Sequence, residues 1–455
     1  MKRLLSLSGL LSVSLAALTG CVPQNPSSTS SATNSPPPAA TPEPVSTAPR
    51  TNTPPPPPVL RSPSAAKPNT TQAKLEAAGA KFGSNSHVDL SNCQDVNLVL
   101  SKLTDITQPK RISIAGENAN EATFVTLSAL PSIERLDLPE VDLAADSANR
   151  LASLPKLTFL NVPKANLPLQ AIKQLAVTRS LKQLRCAEST IDDASLEQLA
   201  TVRSLQAIDL SHCESVSAKG VSHLRACPQL KFLKLAGQSV DDSFINSISD
   251  MKSLKVLGLN NTFISDKGFA QLSVLDLFEV QLVRSPIGDS SVEALSGMKN
   301  LAVINLRDTK ISDVALSHLV KCGKLKKLEV SECSQPGITD LGCEHLAKIQ
   351  SLENVNLWLS KISDDGLKPL RELPKLTALN LDNTAITDAG TETIAQMQQL
   401  TWLHLGKTKI TAACVPTLKS MTNLTFLDIT NTALSPQASQ EIADALEPNG
   451  CQVKR

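Results

Sequence analysis

From Ile133 onward one arrangement of apolar and polar positions recurs along the chain. Ile133-Glu134-Arg135-Leu136-Asp137-Leu138 sets the pattern. Its last apolar position returns at Val162, Cys186, Leu210, Leu235, Leu259, Leu282, Leu306, Val330, Leu357, Leu381, Leu405 and Ile429. The step is 24 residues with slips of one, except for one 27-residue step that holds Ser334-Gln335-Pro336-Gly337. Val88-x-Leu90 and Ile112-x-Ile114 keep the register upstream, which makes about fifteen rungs. A fixed period of this length marks a solenoid, in which each unit packs only on its neighbours.

Each rung reads as a short strand, a turn, a short helix and a return. In Leu379-Asn380-Leu381 the apolar residues alternate with period two, so Leu points in and Asn out. Ile386 then plugs the turn, and Ile394 and Met397 supply the inner side of the helix. Asp388 stands at the helix start, as do Asp266, Asp289, Asp313, Asp340 and Asp364 in their rungs. A calcium or catalytic site is one use for such acids. Because they come once per turn along one edge, we expect them to be helix N-caps that accept orphan backbone N–H bonds. An open end of the stack needs a cap. Ala73 to Phe82 is expected as a helix stopped by Gly83, with Leu75 and Phe82 covering the first rung. At the far end Pro436 to Leu446 is expected as the last helix, followed by a strand at Cys451 to Val453.

The amino terminus has a different pattern. Met1-Lys2-Arg3 precedes an apolar run from Leu4 to Leu18, shorter than the roughly 20 residues that span a bilayer and suited to a signal-peptide core. It ends in Leu18-Thr19-Gly20-Cys21, which resembles the bacterial lipobox. That resemblance implies cleavage before Cys21 and acylation of its thiol, and two or more acyl chains anchor stably. With Val22 rather than Asp after the cysteine, it favours the outer membrane or the cell surface. Residues 22 to 72 are mostly Pro, Ser, Thr, Ala and Asn, and cannot bury enough surface to offset ordering entropy. We expect a disordered, polyproline-biased tether. The organisation is therefore a signal peptide at 1–20, lipidated cysteine and tether at 21–72, an N-terminal cap at 73–87, the solenoid at 88–433 and a C-terminal cap at 434–455.

Composition narrows the function. The chain has 44 basic and 43 acidic residues; without Lys2 and Arg3 the balance is 42 to 43. No long-range field draws nucleic acid or anionic lipid, and neither is expected as a partner beyond the lipid anchor. Tyr is absent and aromatics are 2%, so aliphatic residues must build the core. Apart from Cys21, nine scattered cysteines remain, without CxxC pairs. Most fall at inward positions and read as small buried hydrophobes, although export permits disulfides.

Leu210-Ser211-His212-Cys213, with Val216 to Gly220 and Leu224-Arg225-Ala226-Cys227, resembles the cysteine-containing leucine-rich repeat subclass of F-box adaptors and many bacterial envelope proteins. Leu381 to Gly390 is similar to its variant with Thr in place of Cys. The resemblance covers roughly residues 88 to 446. It implies an α/β horseshoe, with a parallel sheet on the concave face and short helices on the convex face. No F-box segment precedes the repeats, and the lipobox argues against a cytosolic ubiquitin role.

On such a sheet the outward side chains form columns about 4.8 Å apart. Trp358 and Trp402, the two Trp of the chain, fall on the concave side two rungs apart. Leu359 follows the first, His404 and Phe426 lie beside the second, and Asn380 and Asp382 lie on the rung between. Aromatics with polar neighbours suit a protein hot spot or a sugar-stacking site; packing over inter-strand gaps is the plainer use. A second cluster pairs Arg284 and Arg307, opposite Glu279 and Asp308, as a binding pair or a surface salt bridge. His223, His318 and His345 are expected on the convex side, where His318 and His345 could take an adventitious metal. There is no nucleophile motif, phosphate loop or converging acid set, so neither an enzyme, a cofactor nor a resident metal is expected. The chain reads as a lipid-anchored envelope protein that recognises a protein partner, with glycan recognition as the alternative.

Overall fold

The computed structural model describes residues 70–103, 105–333 and 335–455. The signal peptide, Cys21 and nearly all of the tether lie outside them. The described residues form a seventeen-stranded open sheet with short helices between the strands. Every strand is three residues long and pairs in parallel with the strands of the adjacent rungs, apart from the first pairing. The expected fifteen rungs are present, and the expected final strand forms as β17, Gln452–Lys454, pairing with β16, Phe426–Asp428. Among the described residues no helix is long and apolar enough to cross a membrane.

The repeated apolar positions make one continuous core. Leu136, Leu138, Leu357, Leu381 and Leu405 are fully buried, as are the turn plugs Ile311, Ile362 and Ile386. The nine cysteines among the described residues are all buried free thiols. At the position three residues after the last repeated apolar residue, the small polar group binds the backbone. Cys213 Sγ donates to Cys186 O at 3.1 Å and Cys333 Sγ to Leu306 O at 3.2 Å. Thr309 and Thr384 hydroxyls donate to Leu306 O and Leu381 O at 2.6 Å. Thr and Cys both supply one short donor there, the Cys thiols to a carbonyl of the preceding rung and the Thr hydroxyls to the carbonyl three residues back in their own rung.

Two expectations need correction. The N-terminal helix spans Thr70–Ala77, not Ala73 to Phe82. Gly79 at φ +100° turns the chain, and Phe82 falls in β1, Lys81–Gly83, which pairs antiparallel with β2, His87–Asp89. A reversed strand on the first rung occupies the open hydrogen bonds of the sheet edge; Leu75 is still buried, as expected.

The aspartates are the second. Ser312, Thr339, Ser363, Thr387 and Thr411 are the N-caps, and each Asp follows its cap as the first helical residue. Its carboxylate accepts two hydrogen bonds from the cap residue of the next rung, one from the backbone N–H and one from the hydroxyl. Asp289 holds Ser312, Asp313 holds Thr339, Asp340 holds Ser363, Asp364 holds Thr387 and Asp388 holds Thr411, all at 2.6–2.9 Å except the Ser363 hydroxyl at 2.5 Å. Asp193 and Asp242 hold Ser217 and Ser265 likewise. Asp266 instead accepts from Gly288 N and the Ser291 hydroxyl. The acids lock rungs together along one edge and are all occupied. A Cβ on Gly366 or Gly390 would overlap the carboxylate of the preceding rung, so these helices start with the smallest residue facing the lock.

Candidate functional site

The outward side chains of the last rungs converge on one aromatic stack. Trp402 and His404 are the two outward residues of β15, Trp402–His404, and Phe426 is the first residue of β16. The Trp402 ring lies 4.1 Å from His404 and 5.5 Å from Phe426, and His404 lies 5.0 Å from Phe426, all stacked. The three side chains are half-buried: they pack on one another while leaving part of each ring on the sheet face.

Beneath them the charges are held tightly. Asp428 is 1% exposed. Burial pushes its carboxyl up, but hydrogen bonds from Thr430 and the Lys454 ammonium, with electrostatic attraction to His404, outweigh that and hold it below the usual carboxylate range. Lys454 Nζ lies 2.9 Å and His404 Nδ1 3.7 Å from the same Asp428 oxygen. Burial, with help from Lys454 and against the pull of Asp428, lowers His404 to about 4, so it is neutral at pH 7. His404 Nε2 is buried without a hydrogen-bond partner. Burial and the nearby Asp428 charge raise Asp382 to about 6, against Lys454, Lys407 and the Gly406 backbone.

The other expected residues separate into two kinds. Asn380 closes its own turn, its side-chain oxygen accepting from Asp382 N at 2.9 Å; Asn356 does the same for Trp358 N at 3.0 Å. Trp358 lies in the turn past β13, Asn354–Asn356, with the Arg307 guanidinium 5.3 Å from its ring. It therefore sits in the row of Asp382 and Gly406, not in the column of Trp402, and the two indoles do not form one stack. Arg307 also binds Glu332 at 2.7 Å, and Arg284 binds Asp308 at 3.3 Å. Arg284–Asp308 is a surface ion pair of little worth, whereas Arg307–Glu332 is partly buried.

Leu359 is distinctive for a reason the sequence did not show. One residue per rung, two after the last repeated apolar position, takes a left-handed backbone. Glu188, His212, Asn261, Arg284, Asp308, Glu332, Asn383, Lys407 and Asn431 all do so, and Leu359 does so at φ 59°. A left-handed L-residue costs roughly 1–2 kcal/mol unless it is Gly, Asn or Asp. Leu359 accepts that cost while 40% exposed. It stands beside Trp358, so the turn after β13 shows solvent two large apolar groups where other rungs show polar ones.

The model of the leucine-rich repeat region matches residues 177–446. The chain belongs to the leucine-rich repeat family. The match covers the aromatic stack and the aspartate locks and begins after the degenerate first rungs. No curated protein matches the sequence. Among solved structures this leucine-rich repeat chain resembles the TLR13–ssRNA13 complex, at 22% identity over 74% of this chain and 51% of that one, with a TM-score of 0.53. It also aligns with an internalin from Listeria monocytogenes, at 21% identity over 79% and 93% of the two chains, TM-score 0.43. A leucine-rich repeat protein from Leptospira interrogans aligns at 15% identity over 85% and 98%, TM-score 0.45. At these identities the likeness is one of fold. Among the described residues no group of three or more His, Cys, Asp or Glu is placed to hold a metal ion. A recess lined by Glu188, His212 and Glu214 lies on much earlier repeats and has no Trp or Phe in its lining.

Proposed function

We propose that this leucine-rich repeat protein is exported, anchored by lipid on Cys21, and recognises a protein partner on its sheet face around Trp402, His404 and Phe426. One observation carries the reading: aromatic rings stacked on an open face, two rungs along from the half-buried Trp358 and a left-handed, exposed Leu359. Partly exposed aromatic anchors ringed by polar groups are what protein hot spots use, and a strained apolar residue held out to solvent is consistent with selection for contact rather than stability. The proline-rich tether supplies reach between anchor and solenoid.

The experiment pairs two substitutions. Cys21→Ser should move the protein from the membrane fraction to the soluble fraction, and continued membrane retention would contradict the anchor. Trp402→Ala, with its fold checked by circular dichroism, should lose partner capture from envelope extract by at least tenfold. Capture that survives protease treatment of the extract would mean a glycan ligand instead. Equal capture by the parent and by Trp402→Ala would remove the aromatic stack as the site.

A further inference from the structure

A second group on the sheet face, in the early rungs, has no expected use. Arg135 is the first residue of β4, Arg135–Asp137; Phe159 the first of β5, Phe159–Asn161; and Arg185 the last of β6, Gln183–Arg185. Both guanidinium carbons lie over the same ring, Arg135 at 3.9 Å and Arg185 at 5.3 Å from the Phe159 centroid. Cation–π stacking uses the face of a guanidinium and leaves its N–H edge for other partners.

Those edges find none among the described residues. The nearest carboxylates are already engaged. Asp137 takes Arg111 Nε at 2.9 Å and Asn161 Nδ2 at 3.2 Å. Asp209 takes Ser211 N at 3.0 Å and faces Lys234 at 3.6 Å. Arg135 and Arg185 are each half-buried. Burial first, then repulsion from Arg111 and Arg185, lowers Arg135; burial lowers Arg185, opposed by Asp209 and Asp137. A half-buried cation without an ion pair is a cost to the fold, and two over one ring are a cost the fold has no structural reason to keep.

We infer that Arg135 and Arg185, preorganised on Phe159, form a second binding point that takes a carboxylate side chain of an acidic polypeptide partner. The inference rests on the sheet-face recognition proposed above but uses different residues. The guanidinium fork matches a carboxylate in bidentate geometry. A polyanion fits less well. Asp89, Asp137 and Asp209 interrupt the arginines along the strand ends, and a phosphate backbone needs continuous positive charge. The chain's own tail is also a poor occupant: residues 22–69 carry one acid, Glu43, against Arg50, Arg61 and Lys67.

The test titrates the full chain with a labelled peptide, acetyl-Gly-Glu-Phe-Glu-Gly-amide, and with its Gln counterpart. The Glu peptide should bind at least tenfold more tightly. Arg135→Gln and Arg185→Gln should each remove most of that difference, while Trp402→Ala leaves it, so failure here and failure of the aromatic stack are separable. Arg185→Met should lose the peptide with its melting temperature unchanged or raised. Equal binding of Glu and Gln peptides would overturn the inference. So would Arg185→Met melting several degrees lower while still binding. Arginine-dependent binding of dextran sulfate or oligothymidylate, without binding of the Glu peptide, would overturn the polypeptide assignment.

Discussion

The helix-start edge and the sheet face of this solenoid are built from the same rungs and behave in opposite ways. Along the edge one device recurs: Asp289, Asp313, Asp340, Asp364 and Asp388 each hold the Ser or Thr that caps the next helix. Every acid is identical in role and fully paired. Along the sheet face Asn305, Asn356 and Asn380 share one device, a side-chain oxygen that accepts from the backbone N–H two residues on, while the larger outward side chains vary from rung to rung. Arginines share Phe159 near the start, polar residues follow, and Trp402, His404 and Phe426 stack near the end. Buried polar atoms without a partner occur on this face, at His404 Nε2 and Asp382 Oδ1, and also on helices, at Asn97 Oδ1 and Arg150 Nε. Repetition here marks what holds the stack together, and the departures from it are where the proposed recognition site lies.

That contrast can be broken most strongly at the edge. Asp364→Ala leaves the Thr387 N–H and hydroxyl without their acceptor, two charge-assisted bonds lost from a half-buried site. Thermal or urea unfolding should show a loss of about 2 kcal/mol. Asp364→Asn, which keeps one acceptor, should lose about half as much. No change in either variant would mean that the lock is decorative.

On the sheet side the expected sign reverses. Leu359→Asn places at φ 59° the residue type that Asn261, Asn383 and Asn431 already supply there. It should stabilise the protein by about 1 kcal/mol while weakening partner capture. A destabilised variant would show that Leu359 is held by packing. Asp382→Asn should stabilise by on the order of 1 kcal/mol at pH 7, after discounting for solvent screening of a half-exposed group. The sign follows from the raised pKa. The folded state binds more protons than the unfolded state between the ordinary carboxylate value and about 6, so stability falls as pH rises through that window. The advantage of Asp382→Asn should therefore vanish by pH 4. His404 works the other way: lowered to about 4, it contributes stability that is complete above its ordinary value and is lost as pH falls through the interval. Asp382→Asn should accordingly lose stability more steeply on acidification than the parent.

The solenoid was legible because its period is fixed and its inward residues are aliphatic; its rungs from Val88 through Ile429 could be placed without coordinates. The aspartates were placed correctly but given the wrong partner, since a capping acid and a first-turn acid both read as Asp at a helix start. The pairs Ser312-Asp313, Thr339-Asp340, Ser363-Asp364 and Thr387-Asp388 carried the missing signal. The stack of Trp402, His404 and Phe426 was legible as neighbouring columns. Trp358 falls by sequence in a different column from Trp402, one residue past the last repeated apolar position and in line with Arg307, whose guanidinium lies 5.3 Å from its ring. Arg135 and Arg185 escaped notice because stacking on Phe159 crosses both rungs and columns. The N-terminal helix was overextended because Lys81-Phe82-Gly83 is too short to declare a strand without its partner.

The most direct measurement of the central claim is site-specific photo-crosslinking in intact cells. One variant carries the photoreactive residue at Lys407, exposed on the turn that follows the Trp402 strand, and another carries it at Leu341, exposed on the helix side. A partner on the sheet face should give a protease-sensitive adduct from position 407 that disappears in the Trp402→Ala background, and none from position 341. An adduct from position 341 alone, or one from position 407 indifferent to Trp402, would contradict it.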